Sequence, residues 1–247
     1  MTNAPAHASP HQAASPIEAL RAVLATGSFR FDRQPIVAMP GVAVAGFELL
    51  ARFDLPYPVA TLVEAAEAAN LVEKIDLAAA RAALAARDRG EYFYSVNVSA
   101  RSLACASFGA RLAQSIACTH GGGHGLIIEL TETAKLDHLP TAADTLHRLR
   151  GLGCQVWLDD FGEGFGALEY LRTLPADAVK LRAHAGDWLL GPLVRMVGEL
   201  GLAVIVEMIE TETQARTAAQ AGAAFGQGYL FGRPQRWSDK PALAIGA

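Results

Sequence analysis

Val156-Trp157-Leu158-Asp159-Asp160 is a short apolar run that stops on two carboxylates, and it sets the pattern for the whole chain. Four other runs end in a similar way. Tyr94-Ser95-Val96 leads to Asn97, Leu126-Ile127-Ile128 to Glu129, Ala178-Val179 to Lys180, and Val204-Ile205-Val206 to Glu207. Runs this short, with β-branched residues and helix-length spacers between them, read as parallel strands buried on both faces. A carboxylate, amide or amine at the C-terminal tip of strand after strand is how a (β/α) barrel assembles an active site. The expected fold is therefore α/β, and about eight strand candidates favour a closed barrel over an open sheet.

Working outward, residues 34–37 and 42–53 read as a strand pair turned by Pro40-Gly41. Residues 61–87 read as one long helix with Leu62, Ala65, Ala69, Val72, Ile75 and Ala79 on its apolar side. Further helices are expected at 17–25, 108–117, 142–149, 167–171, 188–200 and 211–221, the last with Thr211 as its N-cap. Residues 1–16 are rich in Ala, Pro, His and Ser without periodicity, and are expected to be a mobile tail before a single barrel domain at 17–247.

Composition agrees with one large core: 247 residues, 51% hydrophobic and 19% charged. A net charge of -4 argues against broad electrostatic attachment to DNA, RNA or an anionic membrane. No apolar stretch approaches the roughly 18 to 20 residues that span a bilayer, and no secretory signal pattern opens the chain, so a cytoplasmic location is expected. Cys105, Cys118 and Cys154 follow no zinc-ligand or C-x-x-C spacing and read as buried reduced thiols.

If the strands close, Glu48, Asn97, Glu129, Asp159, Asp160 and Glu207 share one mouth. Five carboxylates confined together raise each other's pKa and call for cations. An all-oxygen set lacking His and Cys selects hard divalent ions such as magnesium or manganese. Neighbours on a strand face opposite ways, so Asp159 and Asp160 can serve one site only where the backbone turns, which Gly162 and Gly164 would permit. Lys180 could orient or deprotonate a metal-bound water, or simply neutralise a carboxylate. Any one of these residues alone is an ordinary solvated side chain; the recurrence at strand ends makes them a site.

The same residues carry a family pattern. Gln34-Pro35-Ile36-Val37, Phe47-Glu48-Leu49-Leu50-Ala51-Arg52, Val96-Asn97-Val98-Ser99, Glu129-Leu130-Thr131-Glu132, Asp159-Asp160-Phe161-Gly162, Glu207-Met208-Ile209-Glu210 and residues 227–234 together resemble the EAL-domain cyclic di-GMP phosphodiesterases. The resemblance implies a modified TIM barrel, often dimeric, that hydrolyses cyclic di-GMP to linear pGpG with two metal ions. It implies one ion on Glu48, Asn97, Glu129 and Asp159, and a second on Asp159, Asp160 and Glu207. By the same resemblance Lys180 would position the attacking water, and Gln34, Leu50, Arg52 and Gln227 would line the nucleotide groove. Glu132 would anchor the loop after Asp160, and Glu210 would support the site.

Three departures from that pattern stand out. The name-giving motif reads Glu48-Leu49-Leu50, with Leu in place of the middle Ala. The loop 161–167 lacks the paired serines usual there. Lys180-Leu181-Arg182 carries Arg where the family has Asp, which exchanges an anion for a cation beside the second metal. Two further readings follow: a non-catalytic cyclic di-GMP receptor signalling through a partner protein, and an interaction module that binds no nucleotide. An enolase-type barrel would also use acidic strand ends and a Lys, but it leaves the segments around Gln34 and Gln227 unexplained.

Overall fold

The computed structural model describes residues 15–41, 43–87, 91–131, 139–162, 167–184 and 188–237. Helix α1 (Pro16–Thr26) leads into strands β1 (Phe29–Ala38) and β2 (Val44–Phe53), followed by α2 (Val59–Ala68) and α3 (Val72–Arg87). Strands and helices then alternate: β3 (Phe93–Asn97), α4 (Ala100–Leu103), α5 (Ala106–Ala117), β4 (Leu126–Thr131), α6 (Leu139–Gly151), β5 (Gln155–Asp159) and α7 (Ala167–Thr173). The order ends with β6 (Ala178–Arg182), α8 (Leu190–Glu199), β7 (Ala203–Glu207), α9 (Glu212–Ala221), β8 (Phe225–Gln227) and the short β9 (Gln235–Arg236). From β2 to β8 each strand lies parallel to the next. β1 runs antiparallel to both β2 and β8, and so closes the sheet into a barrel.

Period-two alternation explains both the core and the site. Ile36, Ile127, Trp157, Ala178 and Ile205 point inward and form a buried floor with Phe93 and Phe225 against it. The rings of Phe93, Trp157 and Phe225 meet at centroid distances of 5.4, 5.5 and 5.9 Å. Gly46 makes room for them, since a Cβ there would collide with the Phe93 ring. The opposite face of the strands, including Val96, Ile128, Leu158, Val179, Val204 and Val206, is buried in the outer core that the helices cover. Strands apolar on both faces give the uninterrupted runs seen in the sequence. Two residues beyond the floor on the same face come Glu48, Glu129, Asp159, Lys180, Glu207 and Gln227, so a polar layer rests on an apolar one.

Several local expectations need correction. The helix expected over 61–87 is two helices, because Asn70 takes a left-handed backbone at φ 58° and Leu71 N–H returns to Ala66 C=O at 2.8 Å. Asn tolerates that conformation better than other side chains do, and so ends α2 without Gly or Pro. The run expected to stop on Lys180 continues to Arg182, which puts Arg182 at the tip and Lys180 one pleat deeper on the same face. Of the three cysteines only Cys154 is buried; Cys105 is half-buried and Cys118 exposed. α1 begins at Pro16, inside the expected tail, on a capping box formed by Ser15 and Glu18. Residues 1–14 of that tail, with His7 and His11, lie outside the described residues.

Thr211 caps α9 through a capping box with Gln214. Among the described residues no helix is long and apolar enough to cross a membrane.

Candidate active site

Lys180 is the centre of the polar layer. It is 1% exposed, and its Nζ lies 2.7 Å from Glu207 Oε1, 2.8 Å from Glu129 Oε2, 3.3 Å from Asp159 Oδ1 and 3.5 Å from Glu48 Oε2. Glu48 is held from two sides: Asn97 Nδ2 donates to its Oε1 at 2.8 Å and Gln227 Nε2 to its Oε2 at 2.8 Å. Burial by itself would depress the Lys180 pKa. The carboxylates of Asp159, Glu129, Glu207 and Glu48 outweigh it and hold that pKa well above the usual lysine range.

The acids pay the converse penalty. Burial pushes Glu129 well above the carboxylate range, with Glu48 and Asp159 adding repulsion against the attraction of Lys180. Glu207 is raised to about 8, by burial first and then by Asp159 and Glu48, again opposed by Lys180. One ammonium cannot satisfy four carboxylates in so dry a place. The layer therefore has the electrostatics of a cation site.

At the rim, β5 ends on Asp159 and the next residue turns. Asp160 takes a left-handed backbone, φ 54°, and its N–H reaches Asp159 Oδ1 at 2.9 Å. The turn expected from Gly162 and Gly164 thus falls on Asp160 itself; Gly162 follows at φ 92°, and Gly164 lies outside the described residues. This turn lets adjacent aspartates serve one mouth. Asp160 Oδ1 is engaged by Arg182 at 2.6 Å. Arg182 in turn pairs in register with Glu207 on β7.

A cleft of about 280 Å³ opens over this layer, lined by Gln34, Glu48, Asp159, Asp160, Lys180, Glu207, Glu210 and Gln227 among the residues singled out from the sequence. Asn97 and Glu129 sit beside it, bonded to Glu48 and Lys180. Leu50 and Arg52 follow Glu48 on the same face of β2 but lie beyond the cleft lining, and Arg52 Nε donates to Asp32 Oδ2 at 3.0 Å. Glu132 lies outside the described residues. The cleft also takes in Arg182, Met208, Gly228 and Tyr229. Of these, Met208 and Tyr229 went unnoticed as single residues. Asp32 had a usable signal, since it stands two places from Gln34 on one strand and so shares its face.

The donors fit one hard divalent ion. Glu129 Oε1 is buried without a hydrogen-bond partner, and Asn97 spends its amide N–H on Glu48, which leaves the amide oxygen as its donor to an ion. A second group, Asp159, Asp160 and Glu207, offers oxygens within 4.8 Å of one another, but Arg182 already stands on Asp160. That set fits a further dication less well.

A parallel barrel sealed by one antiparallel strand, with an acidic mouth around a buried lysine, defines a distinct class of β/α-barrel protein. The EAL domain family matches residues 17–234, and the chain belongs to it. An uncharacterized protein of Azorhizobium caulinodans is 32% identical over 236 residues, 84% of this chain and 31% of that protein. The cyclic di-GMP phosphodiesterase RocR of Pseudomonas aeruginosa is 30% identical over 230 residues, 85% of this chain and 58% of RocR. The chain therefore spans less than two thirds of either relative. Among solved structures, the FimX EAL domain from Pseudomonas aeruginosa bound to c-di-GMP superposes with a TM-score of 0.81 at 24% identity, covering 92% of this chain and 99% of that one. The PaMucR phosphodiesterase in complex with c-di-GMP gives 0.75 at 27% identity, covering 84% and 97%.

Proposed function

We propose that this chain hydrolyses one phosphodiester bond of cyclic di-GMP to linear pGpG, with magnesium or manganese as cofactor. The observation that carries this reading is Lys180, buried among Glu48, Glu129, Asp159 and Glu207. A structural lysine needs one partner; four acids around it make sense as a cation-binding centre. A divalent ion on Glu48, Asn97, Glu129 and Asp159 would supply Lewis acidity and a more acidic bound water.

The protein groups do the rest. Lys180, with its acids engaged elsewhere, donates N–H to the attacking water and orients it. Arg52 is the cation for a ligand phosphate, its Nε held by Asp32 Oδ2. Gln34 and Gln227 line the nucleotide groove, Gln227 also fixes Glu48, and Leu50 is assigned to the groove by the resemblance alone. Glu210 supports the β7 end of the cleft, where its N–H donates to Gln214. Glu132 is assigned to the loop after Asp160 by the resemblance alone. A homodimer, a signalling partner and a cytoplasmic location belong to the same proposal.

The Arg182–Asp160 contact favours a second reading, a receptor that binds cyclic di-GMP without cleaving it. One experiment separates the two: purified protein with cyclic di-GMP and either ion, with pGpG followed by chromatography and binding by calorimetry. Turnover supports the enzyme. Binding without turnover, under conditions where RocR is active, leaves the receptor, and absence of both removes both.

A further inference from the structure

We infer that Arg182 is a resident cation standing in for the second metal ion, so that this mouth takes one divalent ion instead of two. The inference rests on the reading of the mouth as a cation site for a phosphodiester, and deepens it.

Geometry comes first. The three carboxylates close enough to share a second ion are Asp159, Asp160 and Glu207. Arg182 reaches this group from the tip of β6, its guanidinium 2.6 Å from Asp160 Oδ1, while its backbone lies in register with Glu207 across β7. Lys180, one pleat deeper on the same strand, holds Glu207 at 2.7 Å and Asp159 at 3.3 Å. Each member of the group thus has a protein cation on it. The side chains of Arg182 and Asp160 keep 34% and 25% of their exposure, and an ion that used Asp160 Oδ1 would have to displace the guanidinium already on it.

Charge balance points the same way. Glu48, Glu129, Asp159, Asp160 and Glu207 carry five negative charges when ionised, and Lys180 and Arg182 return two. One dication then leaves a single net negative charge. With Asp at position 182 the acids number six against one lysine, and two dications are needed to reach that same residue of charge. The substitution of one side chain therefore changes the ion count without changing the summed charge of these groups and their ions. For a bound phosphodiester, a guanidinium provides charge and directed N–H donors but no Lewis acid and no metal-bound water. Nucleotide is then held with a contribution that chelators cannot remove.

The test is a manganese titration of chelator-stripped protein, with free ion read by electron paramagnetic resonance, on the wild type, Arg182→Asp and Arg182→Ala. Circular dichroism confirms that each variant is folded. The wild type should bind one equivalent and Arg182→Asp two. Two equivalents in the wild type, or one in both, overturns the inference and leaves the proposed function standing. No manganese on any of the three overturns both. In a second arm, cyclic di-GMP binding is measured in EDTA: Arg182→Ala should weaken it by about tenfold, the loss of one charge-assisted contact to phosphate. Unchanged affinity would show that Arg182 does not substitute for an ion toward the ligand, and would also overturn it.

Discussion

The Lys180–Glu129 contact in the mouth and the Arg182–Asp160 contact at its rim are both acid–base pairs of similar length, 2.8 and 2.6 Å, yet they differ in kind. The first is 1% and 0% exposed, the second 34% and 25%. Inside, each charge has lost its water and depends on its partners; outside, solvent screens the pair. The lesson is that the inner ring should control both folding and chemistry, whereas the rim should control ion count with little effect on stability.

The largest effect expected from breaking this contrast is at the centre. Lys180→Met should destabilise metal-free protein by about 3 to 5 kcal/mol, the usual result of stranding buried charges, and manganese should restore part of it. Urea unfolding with and without the ion measures both. Equal stability of the variant and wild type would mean that the acids are neutral in the folded protein and the ring is not ionic.

Next, Glu48→Ala or Asp159→Ala should lower turnover by at least ~100-fold through loss of the ion that supplies Lewis acidity. A smaller drop, measured as initial rates of pGpG formation at saturating manganese, would move the catalytic ion away from these residues. Arg52→Ala should weaken cyclic di-GMP binding by about 1.5 to 3 kcal/mol if a charge-assisted bond to phosphate is lost. Calorimetry showing unchanged affinity would place the nucleotide off the β2 face.

A smaller effect concerns pH and a buried acid outside the mouth. Asp76 accepts hydrogen bonds from Ser99 N–H at 3.0 Å and Ser102 Oγ at 2.6 Å, and burial pushes its pKa up to about 7. A folded pKa above the unfolded value means that its ionisation opposes folding. Stability from this group is intact in acid below its ordinary pKa of 3.8 and is lost as pH rises through 7. Asp76→Asn keeps an acceptor without the charge, so it should gain about 1 to 2 kcal/mol over wild type at pH 8, and the gap should narrow toward pH 5. Melting curves at the two pH values decide it; a constant gap would show that Asp76 does not titrate in this range. Smallest of all, Arg182→Ala should change folding stability by less than about 1 kcal/mol, as expected for a rim pair. A larger loss in the same melts would erase the distinction between ring and rim.

The barrel was legible because its strands are buried on both faces and so print as unbroken apolar runs, and because the polar layer repeats at their ends. The partners of those polar residues were not. Nothing in Glu48 or Gln227, separated by 179 positions, announces that one amide will orient the other's carboxylate. Arg182 could be recognised as a departure, but its contact with Asp160 depends on a left-handed turn that falls on Asp160 itself, ahead of the glycines that signalled it. Likewise the division between α2 and α3 rests on Asn70, one polar residue in a stretch whose composition favours helix throughout. Periodicity reports which face a residue takes; it does not report how far along the strand the ladder runs, which is why Lys180 was expected one pleat too high.

β1 has a consequence for the order in which the protein can form on a ribosome. Its ladder partners include Phe225, Gly226 and Gln227, and Gln34 Nε2 donates to Gly232 C=O across 198 positions. Until those late residues emerge, the growing sheet has β7 as an unpaired edge and Glu48 lacks the Gln227 amide. Nascent chains stalled before Phe225 should thus expose a sticky strand edge and depend on chaperones for solubility. One late segment both seals the wall and completes the mouth, so the acidic ring gains its last amide only as the barrel that shields it closes.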